Sequence, residues 1–214
     1  MTGLPAAPST DELRAIAEAS REAVTGWETA FHEAGHVVVE VAWGSYPDEV
    51  WLNLDGARGD DHAGRTTSRS FLGNMWASAP ENTDAALLQA LETRARKHAE
   101  VLFAGELARS LALGLEVDVF EAAAGANEGW NESTDEAALA SLVTHLRAGD
   151  AEEWLAACAG RSLETLRACW DDVELVARLL VQRRHLDRSV LWEALDGGSS
   201  ERFAEQRLTS AEGI

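Results

Sequence analysis

Apolar residues recur at three- and four-residue spacing along most of the chain, and the pattern turns to strand-like alternation only once. Ser9 and Glu12 stand at capping-box spacing and open a helix expected to run to about Val24, with Gly26 as its stop. A second helix is expected over Trp27–Trp43, closed by Gly44. Its run Val37-Val38-Val39-Glu40-Val41 is β-branched, but the flanking pattern favours a buried helix. Glu49–Leu54 and Arg65–Arg69, joined by a Gly/Asp-rich turn over Asp55–Gly64, read as a β-hairpin, and Ser70–Asn82 reads as loop.

A long helical pattern follows from Thr83 to about Leu113, ended by Gly114. Leu115–Trp130 is expected to be loop with at most one short element. A second capping box, Ser133 with Glu136, starts a helix from Thr134 to about Leu146, and further helices are expected over Asp150–Ala159, Ser162–Arg184 and Ser189–Leu195. Residues 1–8 read as a flexible N-terminus, 9–195 as one domain, and 196–214, opening on Gly-Gly-Ser-Ser, as a mobile tail. The expected fold class is mainly α with a small β-hairpin.

Composition narrows the function. Of 214 residues, 18 are Lys or Arg and 37 Asp or Glu, a formal net charge of −19, which argues against nucleic-acid binding and against anionic membranes. Lys97 is the only lysine and lies between Arg96 and His98, so the chain holds no phosphate-binding Gly-Lys-Ser/Thr loop. No signal peptide opens it and no apolar run approaches the length of a membrane span, so no membrane insertion is expected. Cys158 and Cys169 are too few for a disulfide framework or a four-cysteine metal site. They are expected to be buried thiols of a cytoplasmic protein. The eight tryptophans must be buried or line a site; Trp154, Trp170 and Trp192 fall on amphipathic helices as core candidates.

The string Phe31-His32-Glu33-Ala34-Gly35-His36 carries the chemistry. Histidines at i and i+4 share one helix face, so both imidazoles can reach one ion, with Zn²⁺ the ion they suit. Glu33, one residue round, stands beside that ion as a general base for a zinc-bound water. A third ligand is needed. Asp135 and Glu106 both qualify and spacing alone does not separate them; Asp118 and Glu128 are weaker. Trp51 and Leu52, on the first hairpin strand, are the expected contacts for an extended substrate added to that strand. His62, His98, His145 and His185 are read as solvated or locally bonded.

Ala30–Val38 resembles the zinc-site helix of the FtsH-type ATP-dependent zinc proteases, which carry the same His-Glu-Ala-Gly-His string. The order of later features is similar: a hairpin, a small-residue helix stretch at Leu102–Ala108, and a loop into a helix at Asn131–Ala138. The resemblance implies a zincin-like helical metallopeptidase domain, with Zn²⁺ held by His32, His36 and Asp135 and Glu33 as general base. It also implies unfolded or peptide substrates, and work either with a separate ATPase chain or through self-association, since the family's fused ATPase is missing. The alternatives are a catalytically inactive zinc-binding scaffold module of the same fold, and a zinc hydrolase acting on a non-peptide amide.

Overall fold

The histidine helix, α1 (Arg21–Ala42), runs without a break through Gly26, where a stop was expected. A glycine inside a helix costs only about 1 kcal/mol against alanine. Burial of Ala30, Phe31, Ala34, Val37, Val38 and Val41, none more than 2% exposed, outweighs that cost and the weak helix preference of the valines. The computed structural model describes residues 9, 11, 12, 15, 21–53, 63–67, 85–128, 135, 138, 139, 142 and 151–195. Segments 1–8, 55–62, 70–82 and 196–214, and the Ser133–Glu136 capping box, lie outside them.

After Gly44, whose positive φ of 79° closes α1, the chain enters β1 (Glu49–Leu52), which pairs antiparallel with β2 (Gly64–Thr67) as expected for the hairpin. A third strand, β3 (His185–Asp187), pairs with the other edge of β1, so the sheet order is β2-β1-β3. Nothing in the local pattern announces β3: it is three residues long with one buried apolar side chain, Leu186. It forms because Arg184 turns the chain at φ 63°. The Arg184 carbonyl then accepts the Leu52 amide at 2.9 Å, and the Arg188 amide reaches the Asp48 carbonyl at 2.9 Å.

The remaining helices are α2 (Ala85–Ala112), α3 (Val119–Glu128), α4 (Ala151–Ala168) and α5 (Trp170–Arg183), followed by a helical segment over 188–195. Gly114, at φ 65°, closes α2 where expected. α3, ten residues long, is the one short element allowed for in Leu115–Trp130; the Asp118 carboxylate accepts the Phe120 amide at 2.9 Å and caps its start. The break expected at Gly160 falls instead at Cys169, because Gly160 faces open space and nothing there interrupts the helix. The Ser9–Glu12 capping box forms, with the Glu12 carboxylate 2.7 Å from the Ser9 amide. Asp135, Ala138, Leu139 and Leu142 are helical, with both leucines buried, in the stretch where a helix was expected.

α1 lies at the centre, against α2, α4, α5 and the sheet. Phe31 stacks on Trp170 of α5 at 5.7 Å and 2° between planes. At the far end of α1, Trp43 Nε1 and Arg161 Nε donate to the buried Glu100 carboxylate at 2.9 and 2.5 Å, tying α1, α2 and α4 together. Trp192 is 53% exposed against Tyr46 rather than in the core. Among the described residues no helix is long and apolar enough to cross a membrane.

The α1–α2 contact is backbone against backbone. A Cβ at Gly35 would run into the Ala104 carbonyl and the Ala108 side chain. Gly35→Ala should therefore destabilise the protein by about 2–3 kcal/mol even after the helix-propensity gain, read as a lower urea midpoint. A midpoint equal to or above that of the wild type would contradict this close contact.

Candidate metal centre

The turn of α1 that puts His32 and His36 on one face brings their Nε2 atoms to 3.1 Å, with the rings edge-to-face at 83°. His36 is oriented by its other nitrogen: Nδ1–H donates to the Val101 carbonyl of α2 at 2.7 Å, which turns Nε2 toward His32 and Asp135. Gly105 of α2 lies under both rings; a Cβ there would come within 2.5–2.6 Å of them. The helical Asp135 supplies Oδ2 at 3.3 Å from His32 Nε2 and 3.1 Å from His36 Nε2.

Three donor atoms thus converge on one point. Ligands bound at about 2.1 Å and at tetrahedral angles lie about 3.4 Å apart, so the observed 3.1–3.3 Å spacing could hold an ion of that size. Without a cation, the converging lone pairs need a proton between them. Burial alone would lower the His36 value, but the Asp135 and Glu33 carboxylates overcome it and raise it to about 9. Burial likewise works against the Asp135 carboxylate, and the two imidazoles hold it well below the usual range. Both shifts belong to the metal-free protein.

Glu33 is 5% exposed, and burial pushes its carboxyl upward against the pull of the two histidines. Its Oε2 accepts the Thr66 hydroxyl of β2 at 2.7 Å. Glu106, the other candidate third ligand, is not brought to the two histidines. It is one residue round α2 from Gly105, its side chain is 51% exposed, and its carboxylate pairs with Arg109 at 2.8 Å. The substrate contacts expected at Trp51 and Leu52 are also corrected. Both are buried, at 3% and 5% exposed, and β1 is the middle strand with a partner on each edge, so no chain can add to it.

Two further residues enter the site. His98 sits on α2 seven residues before Gly105, on the face that also carries Val101. Burial lowers it to about 4, so it is neutral, and it lies within electrostatic reach of Asp135 and His36. The 98, 101, 105 spacing was the available signal. Thr66 had none, because a threonine in a strand needs no functional reason. His185 pairs with Glu49 at 3.0 Å, away from the cluster, while His62 and His145 lie outside the described residues.

No protein-family model matches the chain, and no curated protein matches it closely enough to show a relationship.

The His36 shift has a sign that can be checked. Raised in the folded protein, it contributes stability in full below its unfolded value near 6.5, and that contribution is lost as pH rises through about 9. Metal-free protein should lose roughly 2–3 kcal/mol over that window, and Asp135→Asn should flatten the slope, both measured by denaturant melts. A wild-type curve already flat from pH 6.5 to 9 would contradict the assignment.

Proposed function

We propose that the protein is a zinc-dependent metallopeptidase of zincin-like architecture, acting on unfolded segments or peptides. The observation that carries this reading is the convergence of His32, His36 and Asp135 at zinc-ligand spacing beside the buried carboxylate of Glu33. Two neutral imidazoles and one carboxylate suit Zn²⁺, with a fourth position left for water or substrate. Bound there, zinc would supply Lewis acidity, polarising a carbonyl and easing ionisation of water.

The chain's own groups have separate tasks. His36, fixed by the Val101 carbonyl, and His32 present lone pairs, and Asp135 balances charge. Glu33 takes the proton of the attacking water and returns it to the leaving amine. An extended substrate adds to β2. The Asn53 amide bonds the Ala63 carbonyl at 2.7 Å, so by alternation the backbone groups of Gly64 and Thr66 turn away from β1. That edge passes beside Glu33. The resemblance of Ala30–Val38 to the FtsH-type proteases supports peptide hydrolysis over other amides. It also supports a separate ATPase chain, or self-association, as the means of handling folded substrates. The buried thiols Cys158 and Cys169, which form no disulfide, suit a reducing cytoplasm.

Glu33→Gln should keep stoichiometric zinc by elemental analysis and lower kcat/KM on an unstructured fluorogenic peptide by about 10³-fold. Full activity in that variant rules out the mechanism. Stoichiometric zinc without cleavage by the wild type identifies the scaffold alternative instead. Zinc affinity should also rise about tenfold per pH unit between pH 7 and about 9, as His36 gives up its proton, read by chelator competition. A pH-independent affinity would contradict His36 as a ligand.

A further inference from the structure

We propose that β2 positions the general base: Thr66 anchors one oxygen of Glu33, and Gly64 keeps the other open to the attacking water. This rests on the metallopeptidase reading and assigns to each carboxylate oxygen its own task. The Thr66 hydroxyl has a single proton and two acceptors in range, Glu33 Oε2 at 2.7 Å and the Glu33 carbonyl at 3.5 Å, so the carboxylate takes it. Among the described residues the Thr66 hydroxyl is the donor on the carboxylate, and none of them donates to Oε1. A glutamate's terminal torsion is broad and nearly free, so one short hydrogen bond to one oxygen settles the plane of the group.

Gly64 faces the second oxygen. A Cβ there would lie 2.7 Å from Glu33 Oε1, 2.8 Å from its Cγ and 2.7 Å from the Thr29 methyl. Any side chain at 64 would therefore press on Oε1, the atom that must meet the water. The spacing of the two residues follows from the strand. Positions 64 and 66 lie on the same face of β2, so one holds while the other leaves room. The oxygen available to receive a proton is thus Oε1, and Thr66 is a positioning residue that acts through Glu33.

Thr66→Val removes the hydroxyl at nearly constant shape, and valine suits a strand, so the variant should fold. A misplacement of about 1 Å at a reacting group costs on the order of 10²-fold. Thr66→Val should accordingly lower kcat on the fluorogenic peptide by about 30- to 100-fold, with KM and zinc content unchanged. Thr66→Ser, which keeps the donor, should recover kcat to within about threefold of wild type. Gly64→Ala should lose kcat to a similar degree, again with zinc retained. A zinc-loaded Thr66→Val protein with kcat within about twofold of wild type, while Glu33→Gln is inactive, overturns the positioning role alone. A Thr66→Ser variant as slow as Thr66→Val overturns it as well. Zinc-loaded wild type that cleaves nothing overturns the metallopeptidase reading and this inference together.

Discussion

The distance between α1 and α2 governs the geometry of the candidate site. Gly35 on one helix faces Ala104 and Ala108, and Gly105 on the other faces both imidazoles, so no Cβ holds the backbones apart. Only at that separation can the Val101 carbonyl receive His36 Nδ1–H at 2.7 Å. That bond decides which nitrogen of His36 carries the lone pair, and so where a metal could sit. A single methyl at either glycine would push apart the elements that aim the ring.

A converging set of donors is costly to build without a cation, and the surrounding fold holds it against that cost. The centre of α1 is packed on every side: Phe31 stacks on Trp170, and the valines from Val37 to Val41 are buried almost completely. Beyond the site, Glu100 joins Trp43 and Arg161 across three helices in a second polar cluster, with one donor on each carboxylate oxygen. Loss of Arg161 would leave a buried carboxylate with its charge uncompensated and Trp43 as its remaining donor among the described residues, so the cluster ties the far end of the α1–α2 contact together. Rigid support of this kind is what a metal-binding constellation needs to hold sub-ångström geometry.

Much of the helical framework is legible in the chain because it rests on local periodicity. The glycine stops at Gly44 and Gly114 take the positive φ that glycine permits, and the Ser9–Glu12 box closes as its spacing requires. The misreadings share a cause. Gly26 and Gly160 look like breaks, yet the helix runs through both, since about 1 kcal/mol of propensity is small beside the buried face from Ala30 onward in α1 and that of α4. β3 is invisible because three residues with one apolar side chain form a strand only when a prior edge awaits them.

The candidate site divides along the same line. The sequence by itself determined that His32 and His36 share a helix face and that Glu33 stands beside them, because helix geometry alone carries residues four apart to one side. Only the tertiary structure brought Asp135 rather than Glu106 to the two imidazoles, turned Trp51 and Leu52 into interior residues, set Thr66 and Gly64 against Glu33, and buried His98 within electrostatic reach of Asp135 and His36. Those placements depend on which faces of α2, the sheet and the helical stretch at Asp135 meet α1. Contacts between residues tens of positions apart are set by packing, and no local periodicity encodes them.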